Sequence, residues 1–141
     1  MRNIFVFLLL SMTLSACGQN DKSIVAEELM HHRFTIIKWN NEEIKLDPSE
    51  FIEFGENLTI NGKMCNDFSG QLILQNNQIK APDLVMDSVI CNNSQLNQLD
   101  GAIKKLLQHG AKIERITQTN NQFLQLSDED TTLVLEKKDL M

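Results

Sequence analysis

The chain is short of cations: Lys and Arg number 13 against 19 Asp and Glu, a formal net charge of −6 over 141 residues. A nucleic-acid binder carries a basic patch or stripe, and a domain that docks on anionic lipid headgroups needs the same sign of charge. This balance argues against both. Long apolar runs are lacking as well. The run Ile4 to Leu10 is too short for a stable span of about 30 Å of hydrocarbon, which takes roughly 20 residues. Histidine and cysteine are scarce, three of each. No second Cys or His lies at ligand spacing from Cys65 or Cys91, so no metal site is expected. His31 and His32 are adjacent and face different ways, and His109 falls at a helix end, where its charge favours the terminal carbonyls. Asp128-Glu129-Asp130 lacks the spaced oxygen ligands of a calcium loop and reads as a solvated hairpin turn. No cofactor is implied. A thiol enzyme would need Cys65 or Cys91 reduced, exposed and depressed in pKa beside a histidine; otherwise no catalytic residue is expected. There is no internal repeat and no linker that divides the chain.

What is present begins with an export signal. Arg2 gives a positive start, the apolar run follows, and Leu14-Ser15-Ala16-Cys17 ends it with small residues before a cut. Those four residues resemble the bacterial lipobox, which implies diacylation of the Cys17 sulfur and cleavage just before it. An ordinary signal peptide with Cys17 incidental is the alternative. Two or more acyl chains anchor stably where one binds only marginally. By the same analogy Gly18, rather than Asp, after the cysteine favours the outer membrane. Gly18 to Ser23 has no apolar pattern and reads as a flexible tether. The expected division is a lipoprotein signal over 1–16, a lipidated tether over 17–25 and one domain over 26–141, large enough for a real core. Cys65 and Cys91 remain. In an exported protein a pair of thiols commonly becomes a disulfide; two buried thiols acting as small hydrophobes are the other reading.

Periodicity supplies the elements. Arg33 to Trp39 is rich in β-branched and aromatic residues and reads as a strand, followed by an Asn40-Asn41 turn and a short partner at Ile44 to Leu46. Further strands are expected at Phe51 to Phe54, Leu58 to Ile60, Lys112 to Thr117, Gln122 to Leu126 and Thr132 to Glu136. Gly70 to Leu74 and Gln78 to Ala81 read as a hairpin around Asn76-Asn77, residues that tolerate the left-handed region. Leu84 to Cys91 is strand or irregular. One helix stands out: Leu96, Leu99, Ile103, Leu106 and Leu107 form an apolar stripe, with Asn92, Asn93 or Ser94 as cap and Gly110 as stop. Asp100 and Lys104 are expected to pair one turn apart, and Gly101 suggests close packing on the sheet. About seven short strands and one late helix give α+β: a curved antiparallel sheet, a partly open barrel, with the helix on its open side.

Between Ile60 and Gly70 the chain concentrates unusual residues. Gly62 and Gly70 read as turn or bulge positions, and Asn66 and Asp67 as hydrogen-bonding the backbone of their own turn. The segment Gly62-Lys63-Met64-Cys65-Asn66-Asp67-Phe68-Ser69-Gly70 resembles the Gly-x-x-Cys-Asn-x-Phe-x-Gly motif of the META domain (HslJ-like) family. Met86-Asp87-Ser88-Val89-Ile90-Cys91 fits that family's second segment, as do Trp39 and Leu124-Gln125-Leu126. Met64 stands where the family usually has Gly, and Asp87 where it often has Thr. The likeness runs from about Phe34 to Glu136. It implies a small antiparallel, partly open barrel with a helix, similar in shape to secretion pilotins. It implies roles in envelope stress, antibiotic tolerance, secretion or virulence, and no catalytic residue.

The expected function is therefore a non-catalytic, outer-membrane-anchored periplasmic lipoprotein. Its partners would be the membrane, through the lipid on Cys17, and an envelope protein; nucleic acid is not among them. The alternative is a pilotin-like carrier that holds a lipid or a partner peptide in an apolar barrel mouth lined by Phe34, Trp39, Phe51 and Phe54. An unfilled cavity among those residues would favour the carrier, a solid core the interaction module.

Overall fold

Apolar and polar residues alternating at period two build the sheet, and the helical stripe covers it. A computed structural model describes residues 23–116 and 123–139; the signal over 1–16, Cys17 and the tether as far as 22 lie outside the described residues. A short helix α1 (Ala26–Leu29) precedes β1 (His32–Trp39), β2 (Glu42–Glu43), β3 (Phe51–Phe54), β4 (Thr59–Lys63) and β5 (Asp67–Gln71). Then come β6 (Ile73–Gln75), β7 (Gln78–Lys80), β8 (Val85–Met86), the main helix α2 (Ser94–His109), β9 (Ala111–Ile116), β10 (Phe123–Ser127) and β11 (Thr132–Lys137). All belong to one antiparallel sheet in the order β6-β7-β9-β10-β11-β1-β3-β4-β5-β8, with β2 off the path on β1. Because β5 and β6 are successive pieces of chain separated only by Leu72, the sheet curls into a half-barrel. The α+β architecture expected from the sequence is thus present, with eleven strands among the described residues in place of about seven, since turns cut several into pieces of two or three residues.

The core lies between the concave face and α2. Phe34, Ile36, Ile52, Phe54, Ile60, Ile79, Ile113, Leu133 and Leu135 come from the strands, and Leu99, Ile103, Leu106 and Leu107 from the helix; all are at most 2% exposed. Each such side chain contributes roughly 1.5–3 kcal/mol on burial. Asn93 caps α2, accepting from the Gln95 and Leu96 amides, and Gly110 ends it at φ 103, an angle that suits only glycine well. His109 is the last helical residue.

Several local expectations are corrected. The partner of β1 is Glu42–Glu43, not Ile44 to Leu46. Asn40 and Asn41 both take positive φ, so the two-residue turn sets Glu42 directly opposite Trp39; Ile44 and Leu46 pack against the core instead. His32 opens β1, and its Nδ1 is 2.9 Å from Asp139. Gly62 and Gly70 are neither turn nor bulge: they lie inside β4 and β5, whose register runs unbroken from Thr59↔Gln71 to Lys63↔Asp67. What demands glycine there is proximity. A Cβ on Gly62 would sit 2.3 Å from the Phe51 carbonyl oxygen and 2.5 Å from the Phe68 ring, and one on Gly70 3.2 Å from Leu84. Gly101, expected to pack closely, has nothing within 4 Å of a built Cβ, because it lies on the exposed side of α2. The Asn76–Asn77 hairpin turn is present, with φ 52 and 57.

The acidic turn closes β10 to β11. Asp128 Oδ1 accepts from the Asp130 and Thr131 amides, and Lys105 on α2 donates to Asp130 at 2.6 Å. That hydrogen bond, with the lysine charge, holds the Asp130 carboxyl below the usual carboxylate range and raises the Lys105 ammonium. The depressed Asp130 contributes stability above its ordinary pKa and loses it as pH falls through the folded value; the raised Lys105 contributes below its ordinary pKa and loses it as pH rises through its own. Both groups are exposed, so the effect on stability is small and the titration itself is the measurement. Lys105→Ala should return the Asp130 midpoint upward to the ordinary range, read from its side-chain carboxyl NMR shift; an unmoved midpoint would show the pair is not formed in solution. The two glycines make opposite expectations. Gly101→Ala should stabilise by up to ~1 kcal/mol, and Gly62→Ala should destabilise by about 3 kcal/mol, both by urea unfolding. Equal effects would contradict their placement.

Candidate functional site

The Cys65 turn, the loop after β8 and the first half of α2 meet in a buried polar knot. Strands β4 and β5 pair as far as Lys63↔Asp67, which leaves Met64, Cys65 and Asn66 as the turn. All three are buried, because the turn is pressed against α2. Asp100 comes from the helix side and is only 5% exposed. Its Oδ1 accepts from the Cys65 amide at 3.2 Å and its Oδ2 from the Asn66 amide at 3.0 Å. Asn66 Nδ2 also donates to that Oδ2, at 2.8 Å. A carboxylate surrounded by three N–H donors is solvated by protein in place of water.

From this knot the chain after β8 is clamped. Asn66 grips both backbone groups of Val89: the Val89 amide donates to Asn66 Oδ1, and Asn66 Nδ2 donates to the Val89 carbonyl, each at 2.8 Å. Asn97 does the same for Cys91, at 3.0 and 2.7 Å. The Asp87 amide donates to the Asp67 carbonyl. Cys65 and Cys91 form a disulfide across a sequence separation of 26, a loop length worth roughly 3.5 kcal/mol on the chain-entropy account. Bridged, neither sulfur offers a thiolate for nucleophilic chemistry.

The clamped segment turns apolar side chains outward. Val85 is 68% exposed, Val89 65% and Ile90 88%. Val85 is held in β8 opposite Ser69, and Val89 and Ile90 sit on a backbone held at Asp87, Val89 and Cys91, so none can retreat into the core.

The structure brings some expected site residues together and separates others. Cys65, Cys91 and Asn66 meet in the knot. The Asn66 side chain, expected from the sequence to bond the backbone of its own turn, reaches across to Val89 and Asp100 instead; the tight pairing at Lys63↔Asp67 aims it at the helix. Asp67 is exposed in β5, and Phe68 is buried against Gly62. Asp100 faces the knot rather than forming the expected surface pair with Lys104. Cys17 lies outside the described residues. The proposed lining of Phe34, Trp39, Phe51 and Phe54 is not one pocket. Phe34 and Phe54 pack edge to face in the core, with centroids 5.6 Å apart. Phe51, three residues before Phe54 in the same strand, faces the other way under the Arg33 guanidinium, 3.9 Å from its ring centre. It borders a groove of about 250 Å³ with Phe34, Leu46 and Pro48, while Trp39 borders a different one. Among the described residues no group of three or more His, Cys, Asp or Glu is placed to hold a metal.

Sequence reading missed Asp100, Asn97 and the outward Val89-Ile90 pair. A signal for Asp100 was there: it lies four residues after Leu96 and three before Ile103, on the apolar stripe, where a carboxylate needs a buried partner.

With the geometry in place, likeness to known proteins has a physical basis. The META domain model matches residues 27–139. This chain belongs to the META domain family. The chain is 39% identical over 144 residues to "Heat shock protein HslJ" of Escherichia coli (strain K12), covering all of this chain and 99% of that protein. A solved chain described as an NMR structure is 37% identical, with a TM-score of 0.74 over 84% of this chain and 98% of its own. A second NMR structure, of a Burkholderia xenovorans protein, has a TM-score of 0.61 at 16% identity over 82% of this chain and 87% of its own; it shares the fold.

The knot generates a sharp expectation. Asp100→Ala leaves three buried N–H groups without an acceptor and should destabilise the oxidised protein by about 3–5 kcal/mol. Asp100→Asn, which keeps one acceptor oxygen, should lose less. Urea unfolding measures both; a loss for Asp100→Ala within about 0.5 kcal/mol of zero, as at an ordinary surface site, would contradict the role given to this carboxylate.

Proposed function

We propose that this protein is a non-catalytic docking module of the bacterial envelope, acylated at Cys17, held on the periplasmic face of the outer membrane, and binding an envelope protein through its clamped apolar loop. The observation that carries the reading is the pairing of exposure with rigidity at Val85, Val89 and Ile90. Apolar side chains on a mobile loop lose ordering entropy on binding; on a loop already fixed by a disulfide and two asparagine clamps, that cost has been met before the partner arrives. Burying these residues against a partner would return roughly 1.5 kcal/mol or more from each. The lipobox-like Leu14-Ser15-Ala16-Cys17 supports the anchor. The name of the E. coli relative, a heat shock protein, supports a role under envelope stress. The absence of a free thiol in the knot favours docking over catalysis.

The carrier reading has less in its favour. The inward faces of the sheet and helix fill the core, and the aromatic residues that would line a barrel mouth point to different sides.

Cross-linking in intact cells tests the proposal directly. A protein partner should be recovered with the wild-type chain and lost, by at least about tenfold, with Ile90→Asp, whose exposed position leaves the fold intact by circular dichroism. Cys17→Ser should move the chain from the membrane to the soluble periplasmic fraction. The same partners with Ile90→Asp would remove the docking loop from the proposal, and a Cys17→Ser chain that still sediments with outer membrane would remove the anchor.

A further inference from the structure

A second surface lies beside the start of α2, independent of the docking loop. Trp39 is the last residue of β1, and a shift of register between Ile36 and Lys38 precedes it. The extra residue re-aims the strand, so that Trp39 lies opposite Leu133 as Ile36 lies opposite Leu135. Its indole therefore rests against the core at the end of the barrel and, half-exposed, forms one wall of a groove of about 420 Å³. Ile44 and Glu42 extend that wall, and Ser94, Gln95 and Gln98 on the first turns of α2 face it. The volume falls within the range of small-molecule sites.

This groove sets neutral amide and hydroxyl groups and one carboxylate beside an aromatic face, with no cation among the described residues of its lining. Of its lining, Asn40 accepts from the Thr132 amide through Oδ1, while the side chains of Trp39, Glu42, Ser94, Gln95 and Gln98 make no hydrogen bond or ion pair with the described residues. In the groove beside Phe51, by contrast, Arg33 is bound to Glu53 and Lys138 to Glu136. In the cleft at the other end of α2, Lys105 is bound to Asp130 and Lys112 to Glu114.

The chemistry of the lining selects its ligand. A phosphate or carboxylate finds no cation here, faces Glu42, and meets a chain of formal charge −6. A purely apolar ligand would cover five polar side chains without satisfying them, at roughly 1–3 kcal/mol for each group fully desolvated. A neutral sugar meets every demand: its C–H face lies flat on the indole, while its hydroxyls donate to Glu42 and the glutamine carbonyls and accept from the glutamine and indole N–H groups. We propose that this groove is a saccharide-binding site for an uncharged oligosaccharide of hexose or N-acetylhexosamine units.

The chain supplies its own probe, since Trp39 is the single Trp and there is no Tyr, so tryptophan emission reports this groove alone. The purified full chain, in a sugar-free detergent, would be titrated with maltotriose, with triacetylchitotriose, and with choline chloride as a cationic rival for the aromatic face. A saturable change with either trisaccharide, at a Kd on the order of 1 mM or tighter, is the expected result. A response to triacetylchitotriose assigns an N-acetylhexosamine polymer, and a response to maltotriose alone a free hexose sugar. Glu42→Ala and Gln98→Ala, both at exposed positions, should each weaken binding by about fivefold or more while the circular dichroism spectrum is unchanged. No saturable change with either sugar up to about 20 mM, saturation by choline alone, or equal affinity in the wild type and both variants would overturn the assignment.

Discussion

The structure turns on one buried carboxylate. Taking an ion such as that of Asp100 out of water costs several kcal/mol in a real protein, and here three N–H donors replace the lost water. Two of those donors are consecutive backbone amides of the Cys65 turn, which can converge on one carboxylate only because the turn leaves them without strand partners. The third belongs to Asn66, whose amide continues to Val89. Helix, hairpin and clamped loop are thus joined at a single side chain. The arrangement is all-or-none in character, because removing the acceptor strands three donors of the Cys65 turn at once.

The asparagine clamps solve a geometric problem. A β-ladder would hold the segment after β8 equally well, but it would flatten that segment into the sheet and carry it along the barrel. A side-chain amide offers one acceptor and one donor at the spacing of a backbone peptide, so Asn66 and Asn97 each engage a single residue in both senses and release the chain immediately afterwards. The segment can therefore turn sharply toward the start of α2 while remaining fixed. The disulfide adds a covalent tie at the same corner, and Val89 and Ile90 face solvent between these ties.

Where the determinants are local, the sequence carries them legibly. Strand alternation, the Asn76–Asn77 turn, the Asn93 cap and the Gly110 stop each depend on a few neighbouring residues, and each is found where it was expected. Features decided across the fold were not readable in this way. Gly62 looks like a turn residue in isolation, whereas its need arises from Phe51 and Phe68 on flanking strands. Asp100 and Lys104 have the spacing of a surface pair, yet their separation along the helix says nothing about which residue faces a turn 35 positions away. The aromatic lining failed on parity: Phe51 and Phe54 are an odd number apart and must face opposite sides, and the bulge before Trp39 is invisible without its partner strand.

The two proposed surfaces also agree in position. The clamped loop and the Trp39 groove both lie against the N-terminal half of α2, at Asn97, Asp100, Ser94 and Gln98. The helix has 16 residues, about 24 Å along its axis. Ile24 donates its amide to the Asn77 side chain, the Asn77 backbone carbonyl accepts from Ile113, and Arg115 donates to Ser23 and Glu28, so the first described residues lie beside β9. Cys17 and Ser23 lie six positions apart, a reach of at most about 22 Å when extended. Were Cys17 acylated as proposed, the β9 side of the domain would stay within about 22 Å of the bilayer.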